Sequence, residues 1–194
     1  LSNQNGEQIQ NLIMSNNIKN VFSSINDDKF IKIIMVCGKY QSGKSTFLRT
    51  LTGNGAFYSG IGERSTTKGI LIDGPYSGDD LIDRIGIEEF KNMFSNEDLQ
   101  LESDPAIFII DSQGIGDEID RDHEKILKRI LSFFCSLSDI CINITESGED
   151  KKILQKTINI MRQSQMIKFK DINNKNSNSF NKELTKIIFL VKKV

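Results

Sequence analysis

Apolar residues in this chain fall into short β-rich runs that are separated by stretches with helical spacing. Residues 30–37 form a continuous apolar run, which is typical of a strand buried on both faces of a parallel sheet. Four more strands are predicted at residues 69–73, 106–111, 140–144 and 187–191, and helices at residues 44–52, 117–134 and 150–166. Alternating strands and helices predict an α/β fold with a mainly parallel sheet and helices on both faces.

The pattern divides the chain into a short lead-in and one larger domain. Residues 1–28 are predicted to hold an amphipathic helix, over residues 7–25, that packs on the domain of residues 29–194. The chain starts at Leu1 rather than at a methionine and stops at Val194, at the close of a predicted strand, so we expect this domain to be incomplete at its carboxyl end. Residues 74–105 are long for a connection between strands, which predicts a surface insertion with its own helix at residues 87–94.

Charge and cysteine content narrow the choice of partners and compartment. Lysine plus arginine number 25 and aspartate plus glutamate 26, a balance that predicts neither nucleic-acid binding nor a polybasic membrane patch. No apolar run approaches the roughly 20 residues that span a bilayer, so membrane association is expected only through regions outside this chain. The three cysteines lie in apolar runs without metal-ligand spacing, which indicates buried thiols in a reducing compartment and a cytoplasmic location.

A glycine-rich segment, GKYQSGKS at residues 38–45, follows the first predicted strand and precedes the first predicted helix. It fits the P-loop pattern, and the strand and helix around it make the match specific. Its backbone N–H groups would surround a β-phosphate, the lysine would add a cation, and the serine hydroxyl would bind Mg²⁺. The residues predicted to contact the nucleotide here are Gly38, Lys39, Gln41, Ser42, Gly43, Lys44, Ser45 and Thr46. The sequence therefore predicts a P-loop NTPase domain.

Two further segments are expected to reach the same phosphates. Asp111 begins the sequence DSQG directly after a predicted strand, where it can hold Mg²⁺ through water while the N–H group of Gly114 meets the γ-phosphate. Thr67, with Thr66 as the alternative, lies where small GTPases carry the threonine that closes over Mg²⁺. The predicted Mg²⁺ ligands are Ser45, Thr67 and Asp111, and the residues predicted to act on the γ-phosphate are Lys44, Thr67, Gln41 and Gln113.

The stretches GKYQSGKS, STTKGI and DSQGIGD together resemble the guanylate-binding protein and atlastin families of dynamin-like GTPases. The resemblance covers roughly residues 30–194, and TKGI with the longer DSQGIGD form is more specific than a P-loop alone. It implies a GTPase domain that binds GTP and Mg²⁺, forms a homodimer when nucleotide is bound, and is followed by a helical region beyond Val194.

Two departures from these families concern hydrolysis. Gln41 stands where the families carry an arginine that acts as an internal finger, a group worth roughly 10³ to 10⁵ in rate. Lys39 and Arg64 are the candidate substitutes in this chain, although lysine lacks the planar fork of arginine. Gln113 stands where the families have glutamate, and glutamine orients the attacking water in other GTPases.

A third departure concerns recognition of the guanine base. Lys192 and Lys193 follow the last predicted strand where the families have an arginine and an aspartate, and lysine cannot accept a hydrogen bond from guanine.

The leading hypothesis is an enzyme that hydrolyses GTP with Mg²⁺. The alternatives are an assembly module that binds GTP without hydrolysing it, and a P-loop ATPase or nucleotide kinase.

Overall fold

A computed structural model describes residues 30–53, 57, 69–93, 105–115, 121–148, 151–174 and 185–192. The strands are β1 (Ile31–Gly38), β2 (Ile70–Tyr76), β3 (Ala106–Ser112), β4 (Ile140–Glu146) and β5 (Lys186–Lys192). The helices are α1 (Lys44–Thr52), α2 (Gly78–Ile85), α3 (Ile87–Met93), α4 (Arg121–Leu137) and α5 (Lys151–Asn174). The predicted helix of residues 7–25 lies outside the described residues.

The five strands form one sheet in the order β2-β3-β1-β4-β5. β1 pairs in parallel with β3 and with β4, β4 pairs in parallel with β5, and only β2 runs antiparallel, against β3. The predicted α/β fold with a mainly parallel sheet is therefore confirmed. Because β3 and β4 lie on opposite sides of the central strand β1, the crevice where open α/β sheets bind ligands is at the carboxyl end of β1.

Side chains alternate between the two faces of the sheet along each buried strand, and a hydrophobic core lies on each face. Successive residues of a strand point to opposite faces, so Ile34 and Val36 pack with α1, α2 and α3, whereas Met35 and Cys37 pack with α4 and α5. Residues 34–38 and the whole of β3 are buried, which agrees with the continuous apolar runs in the sequence. Among the described helices, none is long and apolar enough to cross a bilayer.

The predicted insertion at residues 74–105 begins later than expected. β2 continues to Tyr76, and Ser77 then caps α2 by accepting a hydrogen bond from the Asp80 N–H group while the Asp80 carboxylate accepts from the Ser77 N–H group. Such a capping box fixes a helix start, and Leu81 on the next turn is fully buried. Residues 74–85 are therefore part of the fold rather than an insertion, and the helix predicted at residues 87–94 is confirmed as α3.

The three cysteines are buried and form one cluster between β1, β4 and α4. Cys37 Sγ and Cys141 Sγ lie 3.6 Å apart, and none of the three is in a disulfide. Hydrogen bonds with Cys135 and Cys37, together with burial, raise the pKa of the Cys141 thiol well above its ordinary value. This thiol stays protonated at neutral pH, so the cluster acts as apolar packing.

Candidate nucleotide-binding site

The glycine-rich loop leaves the central strand at a point that only glycine can occupy. Gly38 has φ +145°, and a Cβ atom there would lie 2.3 Å from the main-chain oxygen of Ile144 on β4. The loop then turns with left-handed backbone at Gln41, φ 59°, and at Gly43, φ 89°, and α1 begins at Lys44. Four N–H groups at the start of a helix lack intrahelical acceptors, so α1 presents its positive end to the space above β1.

Two polar side chains of the loop, Lys44 and Ser42, are buried. Lys44 is 6% exposed, and its Nζ atom donates to the main-chain oxygen of Lys39 at 2.8 Å. Ser42 is 1% exposed, and its Oγ atom has no hydrogen-bond partner among the described residues. A buried hydroxyl without a partner costs roughly 1–3 kcal/mol, which a ligand oxygen would offset. This orphaned hydroxyl and the backbone of the loop fit a phosphate group.

Ser45 and Asp111 lie in contact at the start of α1. Ser45 Oγ donates to Asp111 Oδ2 at 2.8 Å, and Asp111 is fully buried at the end of β3. Hydroxyl and carboxylate oxygens suit Mg²⁺, which takes few protein ligands and completes its shell with water and phosphate oxygens. Among the residues described, no group of three or more histidine, cysteine, aspartate or glutamate side chains could hold a metal by itself. The donor set therefore fits Mg²⁺ that arrives with a nucleotide.

The segment after β3 is hydrogen-bonded to the glycine-rich loop. Tyr40 N donates to the Ile115 main-chain oxygen at 3.1 Å, and Ile115 N donates to the Gly38 main-chain oxygen at 3.0 Å. A Cβ atom on Gly114 would lie 2.4 Å from Tyr40 Cα, so glycine is required for this approach. The structure thus brings the P-loop and the DSQG segment together, as the sequence predicts.

The other residues predicted to bind the nucleotide lie around the P-loop and the Ser45–Asp111 contact. The exposed Gln41 side chain donates from Nε2 to the Tyr40 hydroxyl at 3.4 Å, whereas Lys39 Nζ lies 3.9 Å from Glu146 Oε2. Gln113 is bound to Gly69, at the edge of the site. Thr46 is exposed on the first turn of α1. Thr67, with its alternative Thr66, and also Arg64 and Lys193 lie outside the described residues.

Two residues at the site, Glu146 and Ile115, were not predicted from the sequence. Glu146 is the last residue of β4, two residues beyond the predicted end of that strand, and its carboxylate faces Lys39 of the loop. Ile115 contributes only backbone groups. A signal for Glu146 existed, because the carboxyl end of a strand next to β1 must lie beside the loop.

Comparison with known proteins identifies the fold family. The family model described as 50S ribosome-binding GTPase matches residues 33–189. No curated protein matches the chain. One similar solved structure is that of a substituted form of Aquifex aeolicus Era bound to GDP.AlF4⁻, with 17% sequence identity and a TM-score of 0.42. The alignment covers 84% of this chain and 51% of that one, so the chain spans about half the length of that relative.

The family match confirms a P-loop domain and an enzyme of the GTPase class, and it supports guanine nucleotide as the ligand. It does not extend to the dynamin-like families that the motifs resemble. With most of its length matched, the chain belongs to the family of 50S ribosome-binding GTPases.

Proposed function

We propose that the chain binds GTP with Mg²⁺ and hydrolyses it as the G domain of a dynamin-like GTPase. The observation that carries the proposal is the contact between Ser45 Oγ and Asp111 Oδ2 at 2.8 Å, beside a loop whose buried lysine and serine fit a phosphate. These two side chains lie on different elements, α1 and β3, and a P-loop GTPase needs both near one Mg²⁺.

The residues present account for most of the chemistry of phosphoryl transfer. Bound Mg²⁺ would neutralise charge on the β- and γ-phosphates, and Ser45 and Asp111 would hold it. Lys44 would exchange its hydrogen bond with Lys39 for one to the phosphates, and the N–H groups of the loop would bind the β-phosphate oxygens. The Gly114 N–H group, held beside Tyr40, would meet the γ-phosphate while water attacks in line.

The finer assignment rests on motifs beyond the P-loop. TTKGI at residues 66–70 and DSQGIGD at residues 111–117 support a guanylate-binding protein or atlastin type of domain, and with it a nucleotide-dependent homodimer in the cytosol. Light scattering of the chain with GDP and AlF4⁻ tests the dimer. A doubled mass relative to the nucleotide-free chain supports this assignment, and an unchanged monomer mass contradicts it.

The second candidate is a module that binds GTP and hydrolyses it poorly. It is favoured by Gln41, whose uncharged side chain is directed to the Tyr40 hydroxyl, and by Lys39, whose ammonium group is drawn to Glu146. Neither side chain supplies the bidentate cation of an arginine finger in this arrangement. Steady-state release of phosphate separates the two candidates, since the module would bind GTP without turnover.

Titration calorimetry tests nucleotide binding itself. A non-hydrolysable GTP analogue with Mg²⁺ should bind the chain with far higher affinity than its ATP counterpart, and Lys44→Ala should abolish that binding. Lys186→Ala is the matched control, because Lys186 is exposed at the opposite, amino end of the parallel strands. Normal affinity in Lys44→Ala would refute the site, and equal affinity for both analogues would favour a P-loop ATPase or an unselective module.

A further inference from the structure

A pair of hydrogen bonds joins the DSQG segment to the start of β2. Gln113 N donates to the Gly69 main-chain oxygen at 2.8 Å, and Gly69 N donates to Gln113 Oε1 at 3.0 Å. Gln113 thus binds both backbone polar groups of one residue, once through its main chain and once through its side chain. Gly69 immediately precedes β2 and follows the TTK stretch by one position.

The second of these bonds depends on the side chain at position 113. β2 and β3 are antiparallel, and their regular pairing begins with Ile70 opposite Ser112. Beyond that pair the backbone bond from Gln113 N to the Gly69 oxygen continues the contact, and Gln113 Oε1 supplies an acceptor for the Gly69 N–H group. The partly buried amide therefore adds a second bond between Gly69 and Gln113, toward the nucleotide site.

This geometry differs from that of a glutamine that orients water. The Gln113 carbonyl oxygen accepts from the Gly69 N–H group, so the direction of the amide is set by Gly69 in this arrangement. A glutamate at the same position could accept the same bond, since only an oxygen acceptor is needed. A hydrophobic residue of equal length could not.

We propose that Gln113 is a positioning residue that fixes the segment carrying Gly114 against the start of β2. This inference rests on the proposed GTP binding and adds how the γ-phosphate contact of Gly114 is made. Gln113 directly precedes Gly114, so its two bonds to Gly69 help to set where the Gly114 N–H group lies. A ligand with a γ-phosphate gains from this preorganisation, whereas a diphosphate gains nothing.

The test compares Gln113→Leu with Gln113→Glu. Hydrogen exchange at the Gly69 amide of the nucleotide-free chain is measured first: Gln113→Leu should lose protection, and Gln113→Glu should keep it. The affinity for a non-hydrolysable GTP analogue relative to GDP should then fall roughly two- to twelvefold in Gln113→Leu, the worth of one net hydrogen bond. Gln113→Glu should keep the ratio of the unsubstituted chain.

Several outcomes would overturn the inference. Unchanged protection of Gly69 in Gln113→Leu would show that the side-chain bond does not hold this amide. Lost protection with an unchanged affinity ratio would show that the bond does not act on the γ-phosphate. If Gln113→Glu keeps both protection and ratio but loses turnover as Gln113→Leu does, Gln113 acts directly on water instead.

The proposed function fails in a different way. A chain that binds neither GTP analogue nor GDP would refute nucleotide binding as a whole. Normal binding of both nucleotides, with equal affinity ratios in all three proteins, would leave GTP binding intact and remove only the positioning role of Gln113.

Discussion

Ser45 and Asp111 are 66 positions apart in the sequence, yet their side chains share a hydrogen bond of 2.8 Å. The contact joins the first turn of α1 to the end of β3 before any metal is considered. It places two oxygen ligands on one side of the space above β1.

Replacing Asp111 by asparagine should weaken the Mg²⁺ dependence of nucleotide binding. The amide keeps the size and the oxygen acceptor but removes the charge that offsets Mg²⁺, and loss of a ligand or of its support commonly costs 10- to 100-fold in metal affinity. Calorimetric titration of the GTP analogue over a range of Mg²⁺ concentrations measures the effect. Thr50→Ala, an exposed change on α1, serves as the control. An unaltered Mg²⁺ requirement in Asp111→Asn would contradict the assignment.

Gly114→Ala should separate the DSQG segment from the P-loop. The new methyl group would lie 2.4 Å from Tyr40 Cα and 2.7 Å from Tyr40 N, and backbone atoms cannot rotate away as a side chain does. Overpacking of this kind costs about 1–3 kcal/mol. Faster hydrogen exchange of the Tyr40 amide, which is bonded to the Ile115 oxygen, reports the separation.

Gly148→Ala is the control for that substitution. A Cβ atom on Gly148 meets no heavy atom within 4 Å, although its φ of +88° carries the ordinary strain of a left-handed residue. It should lower the free energy of unfolding without altering exchange at Tyr40. Equal protection of Tyr40 in both variants would show that Gly114 is not needed for the contact.

Gln41→Arg should raise the rate of GTP hydrolysis. An arginine at this exposed, left-handed position could bring a planar cation to the developing charge, and we expect a gain of at least about tenfold, below the roughly 10³-fold or more of an established finger. Gln41→Lys adds the same charge without the fork and should gain less. Single-turnover phosphate release measures both, and a rate in Gln41→Arg equal to that of the unsubstituted chain would argue against a finger at this position.

Glu124 should make folding stability depend on pH. The ammonium groups of Lys156, at 2.6 Å, and then of Lys128, at 3.2 Å, hold the pKa of the Glu124 carboxyl below its usual value of 4.5. Because the folded-state pKa is depressed, the stabilisation is fully present above pH 4.5 and is lost as pH falls through the folded value. Glu124→Gln should therefore destabilise the chain by about 0.5–1 kcal/mol at pH 7, and the difference should vanish in strong acid.

Urea unfolding at pH 7 and at about pH 3 measures this difference, and the loss arises because Glu124 ties α4 to Lys156 on α5. Glu88→Gln, an exposed change on α3, is the control that removes the same charge. A stability difference for Glu124→Gln that persists unchanged in acid would exclude the ion pairs as its cause.

The elements near the site were the most predictable from sequence. The run at residues 30–37 had to be a buried strand because it is apolar without alternation, and the glycine positions before Lys44 demand a tight turn into a helix. Close agreement at β1, α1 and β3 follows, since one local pattern decides each of them. The contact of Ser45 with Asp111 was implied by the P-loop and DSQG motifs, whose roles converge on one metal.

What sequence could not provide depends on pairing between distant segments. β2 runs antiparallel to β3, with Ile70 opposite Ser112 at the start of the pairing. The direction of a strand depends on its partner in the sheet, and no local pattern of residues predicts it. α2 was missed because its eight residues carry only three apolar side chains, Leu81, Ile82 and Ile85, and because Ser77 with Asp80 resembles an ordinary polar turn. The bond between Gln113 and Gly69 could not be predicted for the same reason, because the two residues are 44 positions apart.

Lys44 Nζ already donates a hydrogen bond to the Lys39 carbonyl, so a phosphate that binds the lysine must replace this carbonyl as its acceptor. The ammonium group is already desolvated and satisfied, so an incoming phosphate must outcompete an acceptor that the loop itself provides. A polyphosphate brings several negative oxygens at once, so one of them can replace the Lys39 carbonyl while the N–H groups of the loop bind others.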